Sequence, residues 1–151
     1  MTQVNFEIEK YQEVYKTQIL RVWEKAVLAT HDFLQPQDFQ EIKIFLEQFD
    51  FNSLEVYCLM QGQVVIGFIA VDGKKVEMLF IDSDYFGIGL GKSLLDFAIT
   101  VLEADRVDVN EQNTDAVGFY KKMGFIVYER TDKDDQGRAY PLLRMKLSTS
   151  S

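Results

Sequence analysis

The segment that most constrains this chain is an apolar strand that enters a glycine-rich turn and then a helix, between Phe80 and Leu95. The turn has glycine at alternate positions, Gly87, Gly89 and Gly91. Glycine has no Cβ, so the backbone can approach a bound group closely. The start of the helix adds free N–H groups and the positive end of the helix dipole. The segment therefore predicts an anion cradle, most often one for phosphate.

Two common phosphate motifs do not match this turn. The P-loop of nucleotide triphosphatases requires glycine at a position where this chain has Phe86. The dinucleotide-binding fingerprint ends in glycine or alanine, and its last position is Lys92 or Leu94 here, depending on the starting glycine. What is left is a Gly-x-Gly turn between a strand and a helix, which also occurs where only tight packing is needed.

A second stretch farther along makes the turn specific. Its pattern comprises Asn113, Ala116, Phe119, Tyr120, Gly124 and Phe125. Phe86-x-x-Gly89-x-Gly91 resembles the acyl-CoA pyrophosphate loop of the GNAT superfamily of N-acetyltransferases, and the second stretch resembles that superfamily's second cofactor motif. The two occur in the family's order. Further segments resemble the YjaB-like group of bacterial GNAT enzymes, namely 29–34, 110–113 and 137–143.

Hydrophobic periodicity predicts the order of secondary structure. The expected strands are 4–8, 54–60, 64–71, 75–81, 106–110, 125–131 and 140–147, and the expected helices are 11–27, 36–49, 90–102 and 113–123. The strand-helix-strand unit over 75–110 predicts a parallel pair with a right-handed crossover, whereas tight turns elsewhere predict antiparallel hairpins.

The predicted fold class is α/β (α+β), with a mixed, mostly antiparallel sheet and helices on both faces. We expect a single domain over residues 1–147 and a polar tail at 148–151. The resemblance implies the GNAT acyl-CoA N-acyltransferase fold. In that fold two neighbouring strands splay apart, and the pantetheine arm of the cofactor enters the gap.

The resemblance implies that acetyl-CoA, or coenzyme A, binds along the strand and the glycine loop. The cofactor-binding loop is expected to comprise Phe86, Gly87, Ile88, Gly89, Leu90, Gly91 and Lys92. Its phosphate contacts are expected from the backbone N–H groups of Ile88, Gly89, Gly91 and Lys92. The pantetheine amides are expected on the backbone of Leu79, Phe80 and Ile81. Asn113 is expected to contact the pantetheine arm as well as to cap its helix. The family's loop usually begins with Arg or Gln, so Phe86 removes one donor to the pyrophosphate.

Acyl transfer to an amine also needs an acid and a base. By its position in the second motif, Tyr120 is expected to be the general acid for the leaving sulfur; otherwise it is a core aromatic. The base is less constrained. The candidate carboxylates are Glu77, on the strand before the glycine loop, and Glu111, at the end of the next predicted strand. Glu111 is the first choice, with a solvated loop acid as its alternative. His31 is the only histidine and falls between the first two helices, so it is a second candidate beside a surface or capping role.

Composition limits the partners. The net charge of −8 disfavours nucleic acid and anionic membranes and suits a cationic acceptor such as an amine, although it also serves solubility. A single cysteine, Cys58, precludes an internal disulfide, and with one histidine no metal site is expected. The first residues lack a signal-peptide pattern, and no apolar run approaches membrane length, so we expect a cytoplasmic protein, either monomer or homodimer.

The leading function is therefore N-acetylation of a primary amine by direct transfer from acetyl-CoA, with the acceptor left open. The alternative is a non-catalytic acyl-CoA-binding or sensing module on the same fold. A third possibility, a purely structural interaction domain, requires both motifs to be coincidental. Tyr120 favours the enzyme over the other two.

Overall fold

A computed structural model describes residues 5–148. The strands are β1 (Glu7–Lys10), β2 (Glu55–Gln61), β3 (Val64–Asp72), β4 (Lys75–Ile81), β5 (Arg106–Asn110), β6 (Phe125–Thr131) and β7 (Leu142–Leu147). The helices are α1 (Lys16–Thr30), α2 (Pro36–Gln48), α3 (Leu90–Thr100) and α4 (Thr114–Lys122). Every predicted element is present in the predicted order.

The differences lie at element ends. The first strand is displaced toward Lys10, and Val4, its predicted start, lies outside the described residues, as do 149–151 of the predicted tail. The last strand begins at Leu142 rather than at Tyr140. The Tyr140 hydroxyl bonds to α2, and Pro141 has no N–H to donate to a sheet, so the chain joins β7 only after them.

The strands form one mixed sheet in the order β1-β2-β3-β4-β5-β7-β6. Only β4 and β5 run parallel, whereas the other neighbours are antiparallel, so the predicted sheet is confirmed. The parallel pairing covers only Lys75 with Arg106 and Val76 with Val107. Beyond these two pairs β4 and β5 no longer pair, which is the splay that the family resemblance implies.

Helices cover both faces of the sheet through apolar stripes. On one face α1 buries residues at helical spacing, among them Ile19, Val22 and Val27. On the other face α3 buries Leu94 and Leu95 against β3 and β4, and α4 packs beside it. The end of α1 and the start of α3 thus reach the splay from opposite sides of the sheet.

A buried ion pair ties α1 to the loop after β4. The Lys25 ammonium lies 2.8 Å from the Asp82 carboxylate and 2.6 Å from that of Asp84, and Asp82 is only 4% exposed. Burial by itself would raise the pKa of Asp82, but hydrogen bonds from Lys25 and from the Asp84 backbone outweigh it and lower that pKa. The ionised pair fixes the glycine loop relative to α1.

Candidate active site

A cavity of about 770 Å³ lies between β4, the starts of α3 and α4, and the end of α1. The predicted site residues that line it are Leu79, Phe80, Ile81, Phe86, Gly87, Gly89, Leu90, Gly91, Lys92, Asn113, Tyr120 and His31. Ile88 and Glu111 do not line it. One cavity therefore contains most residues of both sequence motifs together with the only histidine.

The glycine loop, most of which lines this cavity, has a row of free amides. Gly87 and Gly89 have φ values of 82° and 84°, the left-handed region that favours glycine. Within residues 5–148, no N–H group from Gly87 to Lys92 donates a hydrogen bond; the first that does is that of Ser93, to the Gly89 carbonyl at 3.2 Å. A Cβ at Gly87 or Gly89 would meet nothing within 4 Å. This open cradle at the start of α3 suits the pyrophosphate of coenzyme A.

Side chains add little charge to the cradle. The Lys92 ammonium pairs with Asp96 at 2.9 Å, one turn along α3, and both side chains are exposed. Phe86 is 43% exposed and lines the cavity where the family's loop usually carries Arg or Gln. The donors that the cradle offers to an anion are consequently mostly main-chain N–H groups.

Tyr120 lies on the inner face of α4 and is only 7% exposed. Its ring packs edge-on against Phe119 and Phe125, with centroid distances of 5.1 and 5.7 Å. Its hydroxyl makes no hydrogen bond within the described chain, yet no side-chain oxygen or nitrogen there is both fully buried and unpartnered. The hydroxyl is therefore open to the cavity. Burial raises the pKa of Tyr120, so the phenol keeps its proton.

His31 follows the last turn of α1, and its backbone N–H donates to the Val27 carbonyl at 2.8 Å. Its Nδ1 lies 2.7 Å from the Thr30 hydroxyl, and the Phe33 ring packs 5.1 Å away. Burial lowers the pKa of His31, and the nearby charge of Asp32 opposes this only in part. The imidazole is thus neutral at pH 7 and can accept a proton.

The carboxylates considered as bases have other partners. Glu111 forms a bidentate ion pair with Arg130, with N–O distances of 2.6 and 3.0 Å. Hydrogen bonding from Arg130 lowers the pKa of Glu111, which makes it a weaker base. Glu77 lies 3.7 Å from the Lys75 ammonium and does not line the cavity. Neither carboxylate lines the cavity that contains Tyr120. The role of Glu111 as general base stays a prediction.

Asn113 caps α4, since its side-chain oxygen accepts the Ala116 N–H at 3.2 Å. The side-chain nitrogen has no hydrogen-bond partner in the part of the chain that the structure describes, and the residue lines the cavity. Capping therefore leaves the side-chain nitrogen of this amide free for another partner.

The family model for the acetyltransferase (GNAT) domain matches residues 15–148. The chain belongs to the GNAT acetyltransferase family. It is 37% identical to the peptidyl-lysine N-acetyltransferase YjaB of Salmonella typhimurium over 94% of this chain and 97% of that protein. The predicted membership of a YjaB-like GNAT group is confirmed.

Solved structures agree with the fold. The apo form of YjaB from Escherichia coli matches with a TM-score of 0.87 and 32% identity, over 97% of this chain and 99% of that one. A PaiA N-acetyltransferase from Thermoplasma acidophilum in complex with coenzyme A matches with a TM-score of 0.70 at 19% identity, over 94% and 99%. These likenesses confirm the GNAT fold. The family model and the YjaB relatives confirm acetyl transfer from acetyl-CoA to an amine, whereas nothing supports the non-catalytic alternative.

Sequence reasoning missed part of this GNAT cavity. The further lining residues are Ala26, Thr30, Tyr85, Asp115, Ala116, Phe119, Lys122 and Met123. Some were within reach, because the second motif already includes Ala116 and Phe119. Thr30 had no comparable signal, since its place depends on how α1 packs.

No helix among residues 5–148 is long and apolar enough to cross a membrane.

The end of the cavity at His31 is bordered by a contact between distant segments. Tyr140, in the loop between β6 and β7, donates a hydrogen bond to Asp38 and accepts one from the Gln35 N–H at 3.0 Å. Its ring lies 6.1 Å from that of Phe33, which in turn packs on His31. The loop is thereby fastened to the start of α2, next to the histidine.

Proposed function

We propose that this GNAT protein transfers the acetyl group of acetyl-CoA to the side-chain amine of lysine residues in proteins. Relatives that match nearly the whole chain are peptidyl-lysine N-acetyltransferases. The observation that carries the proposal is a single cavity with free amides at one end, the Tyr120 hydroxyl, and neutral His31 at the other. An anion site, an acid and a base are the groups that this transfer requires.

In this proposal the main chain holds the acyl donor. The amides from Gly87 to Lys92, including that of Ile88, bind the pyrophosphate, and Phe86 borders it without adding charge. The backbone of Leu79, Phe80 and Ile81 binds the pantetheine arm, because β4 has no strand partner toward β5 there. Asn113 donates its side-chain N–H to the same arm.

The proton transfers follow from the two side chains. A lysine ammonium has a pKa of about 10.4, so it must lose a proton before it can attack. His31 accepts that proton, and the neutral amine nitrogen then forms a bond to the acetyl carbonyl carbon. Acetyl-CoA supplies an activated thioester whose carbon–sulfur bond breaks in this step. Tyr120 donates its proton to the departing sulfur. The second amine proton, lost as the amide forms, returns to the Tyr120 oxygen directly or through solvent, which restores the phenol.

Further parts of the proposal concern its setting. Glu111 is proposed to hold the β6 strand through Arg130. The sequence alone makes it the first choice for the base, and in this proposal it ranks second to His31. The acidic chain, with a net charge of −8, favours a basic segment of protein around the acceptor lysine over nucleic acid or an anionic membrane. A cytoplasmic monomer or homodimer is proposed, with a buried free thiol at Cys58 in support of a reducing compartment.

Thiol release from acetyl-CoA, read together with the mass of the product, tests this function. The acceptor is a peptide with an acetylated N-terminus and one lysine. Its matched controls are the same peptide with arginine in place of lysine, and a lysine-free peptide with a free N-terminus. We expect release, and a gain of one acetyl group, with the lysine peptide alone. Acetylation of only the free N-terminus would contradict a lysine acceptor while leaving acetyl transfer intact.

A further inference from the structure

The Thr30 hydroxyl makes two short contacts at the end of α1. It lies 2.8 Å from the Ala26 carbonyl oxygen, one turn back along the helix. It also lies 2.7 Å from Nδ1 of His31, the next residue. A hydroxyl has one proton to donate, so it can donate in only one of these two contacts.

The direction of that proton follows from the partner on each side. The Ala26 carbonyl is an acceptor only, and two oxygens at 2.8 Å repel each other unless a proton lies between them. The hydroxyl therefore donates to Ala26 and accepts at its other contact. Since it accepts there, Nδ1 of His31 carries the proton.

We propose that Thr30 is a positioning residue, whose hydroxyl holds His31 in the Nδ1–H tautomer and leaves Nε2 as the proton acceptor. This inference rests on the proposed function for its catalytic meaning. A free imidazole side chain in water favours the opposite tautomer, with the proton on Nε2. Without Thr30, the nitrogen that must accept the lysine proton would in most molecules already carry one.

The surroundings of the ring agree with this assignment. Within residues 5–148, Nε2 makes no hydrogen bond, yet no nitrogen or oxygen of a side chain is both fully buried and unpartnered. Nε2 is therefore accessible, and both Thr30 and His31 line the cavity. The backbone bond to Val27 and the Phe33 ring fix the imidazole in place. The charged group that acts on it most directly is Asp32.

The tautomer can be observed directly, because His31 is the only histidine of the chain. We suggest a two-dimensional NMR spectrum that correlates ring nitrogens with ring carbon-bound protons, recorded on ¹⁵N-labelled protein without added ligand at pH 7.5. We expect Nδ1 to show the shift of a protonated ring nitrogen and Nε2 that of an unprotonated one. A spectrum in which Nε2 carries the proton would overturn the inference, whatever the activity.

Two substitutions separate the hydroxyl from the shape of the side chain. Thr30→Val keeps the branched shape and removes the hydroxyl, whereas Thr30→Ser keeps the hydroxyl. We expect Thr30→Val to shift the spectrum toward the Nε2–H form and Thr30→Ser to retain the parent pattern. If the valine variant keeps the parent tautomer, Thr30 does not control it. If the valine variant does not fold, the spectrum of the parent protein by itself still tests which ring nitrogen carries the proton.

Steady-state kinetics with the lysine peptide connect the tautomer to catalysis. Thr30→Val should lower kcat by at least about tenfold, as a wrong tautomer does in other enzymes, with KM for acetyl-CoA unchanged, and Thr30→Ser should restore kcat. If Thr30→Val changes the tautomer but keeps the kcat of the parent protein, the positioning role is overturned. The proposed function fails differently: full activity of His31→Gln would remove His31 as the base and leave the observed tautomer in place.

Discussion

The two ends of the cavity are built in different ways. At the donor end the groups proposed to bind the ligand are main-chain amides from Gly87 to Lys92, contiguous in sequence. At the acceptor end they are side chains, and their positions depend on contacts between distant segments. Tyr140, for example, binds Asp38, although 102 residues separate them in the chain.

This difference bears on how each end tolerates change. Every residue has a backbone N–H except proline, so the donor end survives a replacement such as Phe86 at the start of the loop. The acceptor end has no such reserve, because Thr30 and His31 each contribute one particular atom. We therefore expect one substitution at the acceptor end to remove one particular catalytic contribution. At the donor end, several substitutions should each weaken cofactor binding by an independent amount.

Tyr120→Phe tests the group that lies between the two ends. The variant loses only a hydroxyl that makes no hydrogen bond within residues 5–148, so the fold and acetyl-CoA affinity should persist. We expect kcat to fall by about 100- to 1000-fold, since a general acid is lost. Tyr85→Phe is the matched control, because it also removes a hydroxyl from the cavity wall, but one bonded to Gln61. Equal kcat values for both variants would return Tyr120 to core packing.

His31→Gln tests the acceptor end. We expect about a hundredfold loss of kcat/KM at pH 7. Because burial lowers its pKa, His31 is protonated, and so inactive as a base, only at pH values below about 6.5. In the parent, kcat/KM should rise with pH through that range and then become less steep. The pH profile of the variant should lack this rise at about pH 6.5. Its kcat/KM should instead increase toward higher pH, where more of the lysine is already neutral. An unchanged rise in the variant would assign it to another group.

Gly89→Val tests the donor end. Its side chain would occupy the open space over the amides, and a branched residue at φ 84° is strained. We expect acetyl-CoA affinity to fall by about tenfold or more, a change of roughly 1.4 kcal/mol or more. Gly73→Val has the same strain, at φ 62°, in a turn away from the cavity. Calorimetry should show lost affinity for the first variant alone, and equal affinities would make the glycine loop a packing turn.

Phe86→Arg should improve the donor end. It restores a charged donor beside the proposed pyrophosphate site, but at an exposed position, where such contacts are weak. We expect affinity for coenzyme A to rise by about two- to tenfold, with a steeper salt dependence than in the parent. Titrations at two salt concentrations measure both. If neither affinity nor salt slope changes, Phe86 does not face the pyrophosphate.

Glu111→Gln should have the smallest effect. Its partner Arg130 is about half exposed, and exposed ion pairs contribute little to stability. We expect kcat within about threefold of the parent at pH 7, together with an unchanged pH profile. A tenfold loss that Arg130→Gln does not reproduce would make Glu111 the base instead of His31.

The sequence was sufficient for features that arise locally. Alternation and helical spacing predicted each strand and helix, and the glycine turn predicted the amide cradle, because these patterns involve neighbours in the chain. The position of β7 between β5 and β6 was not predicted, nor was the pairing of Glu111 with Arg130. The bond from Thr30 to His31 joins neighbours, but its importance depends on the burial of that helix end in the tertiary structure.

The short pairing between β4 and β5 has a consequence for the protein as a whole. The sheet consists of two hydrogen-bonded ladders, β1–β4 and β5–β7–β6, that meet at a seam of two residue pairs. A folded chain usually satisfies its own backbone, but here the edge of β4 that faces β5 has no strand partner beyond Val76. A donor bound as proposed would complete the ladder across the seam. Slowed amide hydrogen exchange at Leu79 to Ile81 would then report donor occupancy at each stage of turnover.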